Sequence, residues 1–124
     1  MTVMTMTYHV PVLTREVVEG LQVKAGGSYI DCNVGEGGHS RVILEASSPG
    51  GRLLGIDLDP QALETAEENL RAFRDLIVLT NDNFSNLSRI AREQGRDSVD
   101  GILFDLGLSS LQLEGESRGF SFRA

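Results

Sequence analysis

The sequence predicts an α/β fold in which one sheet of about four parallel strands is flanked by helices. Short apolar runs alternate along the chain with segments whose apolar residues recur at helical spacing. The predicted strands cover residues 28–34, 52–57, 76–79 and 99–104. Each run is largely apolar at consecutive positions, as expected when right-handed crossover helices cover both faces of a parallel sheet.

The helices between these strands are predicted from capping residues and from apolar spacing. Thr14 can cap a short helix over residues 15–21. Asp59 and Pro60 are residue types favoured at the N-cap and at the first position of a helix. Ser85 is predicted to cap the last helix, which ends near Gly95. The apolar residues expected on the buried helix faces are Val17, Val18, Leu21, Leu63, Ala66, Leu70, Phe73, Leu87, Ile90 and Ala91.

Length and composition restrict the class of protein. The 124 residues suit one domain, expected over residues 8–124 after a disordered segment 1–7. The net charge is −7, so overall charge disfavours binding to nucleic acid. Cys32 is the single cysteine, which excludes an internal disulfide, and the two histidines form no metal-ligand pattern with it. Because the chain lacks a long apolar run and a signal-like start, we expect a cytoplasmic protein without membrane contact.

A glycine-rich turn organises the chain. Gly35, Gly37 and Gly38 follow the predicted strand 28–34, and a helix over residues 38–46 comes next. A strand, a glycine turn and a helix N-terminus together bring backbone amides close to a ligand. Asp57 ends the next strand, 22 residues after Gly35, which is about the ~20 residues expected before a carboxylate that binds ribose hydroxyls.

The turn favours one nucleotide-like ligand over another. A dinucleotide-binding fingerprint requires Gly or Ala at its sixth position, where this chain has Ser40, and Glu36 would repel a diphosphate. S-adenosylmethionine has no phosphate and carries a cationic sulfonium, so acidic residues such as Asp31 and Asp105 can line its site favourably. The pattern therefore favours the methyl donor over NAD. Asp31 is equally consistent with a structural acid that binds turn amides.

Several blocks in one order closely resemble the MraW/RsmH family of methyltransferases. The resemblance covers residues 8–123, and the Gly-Gly-His-Ser and Arg-Gly-Phe-Ser-Phe blocks are specific to it. It implies a Rossmann-like class I methyltransferase sheet, here partial, that binds S-adenosylmethionine. It also implies methylation of N4 of a cytidine in small-subunit ribosomal RNA. The blocks begin at His9, Tyr29, Gly35, Gly55, Asn83, Asp100, Gln112 and Arg118.

The resemblance implies roles for individual residues. Gly37, Gly38 and His39 would hold the methionine part of the donor, and Asp57 would bind the ribose hydroxyls. Phe84 would lie against the adenine ring. Asp105 and Gln112 would complete the donor site, and Asp105 is the candidate for accepting a hydrogen bond from the cytosine amine. The full set of predicted donor-binding residues is Asp31, Gly35, Gly37, Gly38, His39, Asp57, Phe84, Asp105 and Gln112.

The end of the chain leads to further expectations. In the family, the Gly-Phe-Ser-Phe block continues into a helical substrate domain and the last strands of the sheet, whereas this chain stops at Ala124. We therefore expect the donor-binding portion of a methyltransferase, poorly active alone. The strand 99–104 would be an open sheet edge that invites self-association. The alternative is a non-catalytic Rossmann-like module that binds a nucleotide-like ligand or a partner protein.

Overall fold

The computed structural model describes residues 2–7, 14–95 and 98–106. In these ranges the chain forms one sheet of five parallel strands with four α-helices. The strands are β1 (Thr2–Thr7), β2 (Ser28–Asp31), β3 (Arg52–Asp57), β4 (Ile77–Asn81) and β5 (Gly101–Leu106). The helices are α1 (Thr14–Leu21), α2 (Gly38–Ala46), α3 (Pro60–Asn69) and α4 (Leu87–Glu93), with 3-10 helices at Arg71–Phe73 and Phe84–Asn86.

The strand order of the sheet is β1-β5-β2-β3-β4. The chain adds β3 and β4 on one side of β2 and then places β5 on the other side, so the strand order reverses between β2 and β5. Asp31 of β2 is in register with Leu103 of β5 and with Gly55 of β3. The carboxyl ends of the strands therefore meet at one edge, and the reversal point is where sheets of this kind bind ligands.

Two apolar clusters lie on opposite faces of the sheet. On one face, residues of α1, α2 and α3 pack against alternate strand residues such as Tyr29, Leu53 and Leu103. On the other face, α4 packs against the intervening strand positions, which include Ile30 and Phe104. This alternation explains why the strands are apolar throughout: neighbouring residues point to opposite faces, and helices cover both. The predicted α/β class with parallel strands is confirmed.

Several helices and strands begin or end at the residues that the sequence predicts. The helix at 38–46 and the strand at 52–57 have the predicted bounds. Pro60 begins α3, and the Asp59 side chain accepts a hydrogen bond from the Gln61 amide at 2.9 Å. A carboxylate at the N-cap satisfies one of the amides that a helix leaves without an internal partner. Among the predicted buried helix residues, only Val18 and Phe73 are half-buried.

Other predicted boundaries are wrong by a few residues, and one cap is wrong. The strand predicted at 28–34 ends at Asp31, and the last strand runs from Gly101 to Leu106. Ser85 does not cap α4, because it lies within the 3-10 helix that precedes it. Asn83 caps that 3-10 helix by accepting a hydrogen bond from the Ser85 amide at 2.9 Å. Asn side chains commonly accept a hydrogen bond from the amide two residues later in the chain. The helical backbone therefore begins after Asn83, two residues before the cap predicted at Ser85.

The prediction of disorder at the N-terminus is also wrong for Thr2–Thr7. This segment forms β1 and pairs in parallel with β5, from Thr2 opposite Gly101 to Thr7 opposite Leu106. The Thr2 amide donates to the Asp100 carbonyl at 2.9 Å. Thr and Val favour extended backbone, and the unpaired edge of β5 supplies the hydrogen-bond partners. The edge on which the self-association prediction rests is therefore covered by β1. No described helix is long and apolar enough to cross a membrane.

Candidate functional site

The glycine turn between β2 and α2 has a backbone that only glycine adopts without strain. Gly35 and Gly37 have φ values of +57° and +97°. The Gly37 amide donates to the Val34 carbonyl at 3.0 Å, which closes the turn. A Cβ atom at Gly37 would lie 3.1 Å from the Leu70 side chain. The conformation and the packing of the fold both account for Gly37.

Gly38 differs from Gly37, because nothing within the described fold requires a glycine there. Its φ is not positive, and a Cβ atom at Gly38 would have no neighbour within 4 Å among the residues that the structure describes. Gly38 is the first residue of α2, whose N-cap has no side-chain hydrogen bond. The first-turn amides of a helix lack internal partners and favour polar or negative ligand groups. The space above Gly38 is thus suited to a ligand.

Asp57 joins the end of β3 to the glycine turn. Its Oδ2 accepts a hydrogen bond from the Gly35 amide at 2.8 Å, and its Oδ1 accepts one from the Asp59 amide at 2.9 Å. The side chain is 9% exposed, so the carboxylate is held in place at the surface of the site. Two backbone hydrogen bonds use about half of the roughly four acceptor positions of a carboxylate. The geometry leaves capacity for two ligand hydroxyl groups.

Asp31 lies beneath the turn at the end of β2 and is 1% exposed. Its Oδ2 accepts a hydrogen bond from the Ser40 hydroxyl at 2.8 Å, and its Oδ1 accepts one from the Asn33 amide at 3.1 Å. Burial and the adjacent Asp31 carboxylate raise the pKa of the Cys32 thiol well above its ordinary value. Cys32 is 7% exposed and belongs to the second apolar cluster, so it is a small core residue.

Phe84 lies after the carboxyl end of β4 and is half-buried. Its ring meets Phe104 edge-on, with the ring centres 5.8 Å apart and the planes at 77°. Asp82 holds the preceding turn: its carboxylate accepts bonds from the Asn83 amide, the Asn86 side chain and Arg89 at 2.7–2.9 Å. The second apolar cluster thus packs against one side of Phe84, and the residue as a whole is half-buried near the carboxyl end of β4.

The described site residues lie at the carboxyl edge of the sheet, at the ends of different strands. Asp31, the three glycines and His39 lie on one continuous segment from the end of β2 to the start of α2. Asp57 accepts a hydrogen bond from Gly35 in that segment. Phe84 follows the neighbouring strand β4. The backbone of Asp105 lies near the carboxyl end of β5, on the other side of β2. Gln112 lies outside the described residues.

Two Asn side chains outside the predicted donor-binding set shape this edge. The Asn81 Nδ2 donates to the carbonyls of Asp57 and Leu58, both at 3.0 Å, and so ties the end of β4 to that of β3. The Asn69 Nδ2 donates to the Glu36 carbonyl at 2.9 Å and anchors the turn to α3. Asn81 lies in the loop after the predicted strand 76–79, so the sequence already places it at this edge. The contact of Asn69 could not be predicted, because 33 residues separate it from Glu36.

Carboxylates dominate the described surface beside the turn. A groove of about 540 Å³ lies between the turn and α3, with lining residues that include Glu36, Asp59, Glu64 and Glu68. Of these, only Glu36 belongs to the turn, so the groove adjoins the predicted site and is not the site itself. Its charge favours a cation over a phosphate. Within the described ranges, no group of three or more His, Cys, Asp or Glu side chains could hold a metal ion.

Solved structures of methyltransferases share this fold. TrmN from Thermus thermophilus matches with a TM-score of 0.66 and 19% identity, over 82% of this chain and 30% of that one. A fibrillarin from Aeropyrum pernix, in complex with natively bound S-adenosyl-L-methionine, matches with a TM-score of 0.54 and 19% identity, over 80% of this chain and 43% of that one. The architecture is the Rossmann-like fold of class I methyltransferases.

Sequence comparison then defines the family within this class. The profile of the MraW methylase family matches residues 6–124. Ribosomal RNA small subunit methyltransferase H of Dehalococcoides mccartyi is 52% identical over 120 residues, which are 97% of this chain and 34% of that protein. The protein of the same name from Symbiobacterium thermophilum is 46% identical, over 93% of this chain and 36% of its own length. The chain belongs to the MraW methylase family and spans about one third of the length of these relatives.

Proposed function

We propose that this chain forms the S-adenosylmethionine-binding portion of a methyltransferase that acts on N4 of a cytidine in small-subunit ribosomal RNA. The family and the names of its relatives support the reaction class and the substrate. The chain covers about a third of those relatives, so the proposal for these 124 residues is donor binding. Methyl transfer is proposed for the whole proteins, with the present chain poorly active alone.

The hydrogen bond from the Gly35 amide to Asp57, at 2.8 Å, carries the proposal. It holds a carboxylate with remaining acceptor capacity against the turn that leads into α2 at Gly38. A ribose with two hydroxyl groups fits the carboxylate, and a cationic methionine part fits the acidic surroundings. When bound, S-adenosylmethionine supplies an electrophilic methyl group. Its site would be formed by Asp31, Gly35, Gly37, Gly38, His39, Asp57, Phe84, Asp105 and Gln112.

Residues of the chain would prepare the cytosine amine for reaction. The lone pair of this amine is delocalised into the ring, so it is a weak nucleophile. An acceptor such as Asp105, at the carboxyl end of β5, would take a hydrogen bond from the amine and orient its nitrogen. The base would have to leave its stack to reach this edge. The net charge of −7 means that the surface binding the RNA backbone is local or lies elsewhere in the whole protein.

Calorimetric titration with S-adenosylhomocysteine tests the proposal. The wild-type chain should bind, and Asp57→Ala should abolish binding because it removes the ribose acceptor. Asp59→Asn is the matched control, because it removes a carboxylate two residues away while keeping a side chain that can cap α3. Circular dichroism verifies that each variant is folded.

Two outcomes would contradict the proposal. A folded wild-type chain that does not bind S-adenosylhomocysteine would favour a non-catalytic module. Preferential binding of NADH in a parallel titration would favour a dinucleotide site, which Ser40 and Glu36 disfavour.

A further inference from the structure

Ser40 occupies the position where a dinucleotide-binding fingerprint has its third Gly or Ala. At that position a small residue allows the helix to approach the strand closely. Ser40 lies in the first turn of α2 and is 0% exposed, so it meets the same steric requirement. Unlike Gly or Ala, it also has a hydroxyl group, which donates to the Asp31 Oδ2 at 2.8 Å.

The bond between Ser40 and Asp31 connects two elements that form the glycine turn. Asp31 ends β2, and Ser40 lies nine residues later in α2. The other Asp31 oxygen accepts from the Asn33 amide inside the intervening segment, at 3.1 Å. A buried carboxylate is costly unless it is hydrogen-bonded, so both bonds stabilise this one arrangement of the turn. The pair thus spans the base of the segment that contains all three glycines.

We propose that Asp31 and Ser40 form a buried positioning pair that fixes the first turn of α2 beneath the methyl donor. In this assignment Asp31 acts on donor binding through Ser40 and not through an ionic contact with the cationic donor. The donor-related part of the proposal rests on the proposed function. The structural part, that the pair holds the turn, stands without it.

A double-mutant cycle in urea unfolding tests the pair without any ligand. Ser40→Ala and Asp31→Ala should each raise the equilibrium constant for unfolding, by about tenfold or more for a lost buried hydrogen bond. The double variant should raise this constant by less than the product of the two single effects, because both substitutions remove the same interaction. If the changes in the free energy of unfolding were additive, the proposal that Asp31 and Ser40 act as a pair would be wrong.

Amide hydrogen exchange locates the effect within the turn. The Arg41 amide donates to the Gly37 carbonyl at 2.9 Å and closes the first turn of α2. Its exchange should be several-fold faster in Ser40→Ala. The Leu70 amide, bonded to Ala66 at the end of α3, is the control and should change no more than global stability requires. Equal acceleration at both amides would mean general destabilisation and would overturn a positioning role.

Ligand titrations distinguish positioning from direct contact. Ser40→Ala should weaken S-adenosylhomocysteine about tenfold and adenosine less than twofold, because the turn would hold the amino-acid part of the donor. Asp31→Asn should lose less affinity than Asp31→Ala, because its carboxamide oxygen can still accept from the Ser40 hydroxyl, although the bond from the Asn33 amide is lost. Equal losses in Asp31→Asn and Asp31→Ala, with Ser40→Ala unaffected, would show direct ionic contact and overturn the assignment.

The experiments separate this inference from the proposed function. If the wild-type chain binds no donor, the proposed function fails, and the unfolding cycle and the Arg41 exchange still decide whether the pair holds the turn. If the donor binds but the cycle is additive, the positioning pair fails and the proposed function stands.

Discussion

Two neighbouring glycines in the turn have different physical reasons to be glycine. Gly37 has a φ of +97° and packs against Leu70, so the folded chain itself requires it. Gly38 has neither feature, and a Cβ atom there would have no neighbour within 4 Å among the described residues. Glycine is a poor choice for the first turn of a helix on grounds of propensity alone. The described part of the fold therefore does not account for Gly38, and the proposed donor site would supply a reason for it.

Alanine substitutions at these two positions should therefore have opposite effects. Gly37→Ala should lower the free energy of unfolding by about 1–3 kcal/mol, the cost of a left-handed non-glycine residue. Gly38→Ala should leave stability unchanged or raise it by up to about 1 kcal/mol, because Ala has the higher helix propensity. The same Gly38→Ala variant should bind S-adenosylhomocysteine more weakly. Urea unfolding and calorimetry measure both effects, and unchanged donor affinity in Gly38→Ala would argue against close approach of the donor.

At the scale of elements, the turn after β4 is ordered by side chains and not by a regular ladder. Asp82 collects hydrogen bonds from Asn83, Asn86 and Arg89, and Arg89 also pairs with Glu93 at 3.0 Å. Bonds from Asn86, Asn83 and Arg89 hold the pKa of the half-buried Asp82 carboxyl below its ordinary value. The network joins the end of β4 to α4 and presents Phe84 between them.

Asp82→Ala should loosen this turn with little effect on the rest of the fold. Amide exchange in Phe84–Asn86 should accelerate several-fold, while exchange in β2 and β3 should stay unchanged, because the network is local and exposed. Adenosine affinity should fall if Phe84 lies against the base. Glu93→Ala is the control, because it removes an Arg89 partner without touching the Asp82 bonds. An Asp82→Ala chain with wild-type exchange in this turn would contradict the role of the network.

At the scale of the whole molecule, Asp100 fastens the amino end of the sheet. Its Oδ2 accepts from the Ser28 amide at 2.9 Å, and its Oδ1 pairs with Lys24 at 3.2 Å. The Ser28 amide and the Lys24 ammonium hold the pKa of the Asp100 carboxyl below its ordinary value. This end of the sheet lies opposite the ligand edge, so the role of Asp100 is structural.

Stability should depend on pH through Asp100. A depressed folded-state pKa stabilises the fold above the ordinary pKa, and this contribution is lost as the pH falls through the lower folded-state value. The urea concentration at the unfolding midpoint should decrease as the pH is lowered below about 3.9, the ordinary pKa of an Asp carboxyl. The Asp100→Asn variant should be less stable than the wild type at neutral pH, and its urea midpoint should depend less steeply on pH. Asp75→Asn, at an exposed position, is the control, and an identical pH profile for Asp100→Asn and wild type would contradict the assignment.

The edge strand β1 also acts at the scale of the whole sheet. Deletion of residues 2–7 should leave the backbone of β5 unpaired on one side and remove the contact of Val3 with the second apolar cluster. An exposed apolar edge favours pairing between chains. The deletion variant should self-associate with rising concentration in sedimentation velocity, whereas Val3→Thr, which keeps the backbone, should not. A monomeric deletion variant of unchanged stability would mean that β1 does not protect the edge.

Local sequence determined most of the helix and strand types, the glycine turn and the Asp59–Pro60 helix start. These features depend on residues within a few positions of one another, or on a spacing such as that from Gly35 to Asp57. Only the tertiary structure decided that β1 covers β5, that Asn69 anchors Glu36, and that Asp31 faces Ser40 from beneath the turn. Those contacts depend on strand order and on the distance between layers. No local propensity encodes them, because their partners meet only when the sheet forms.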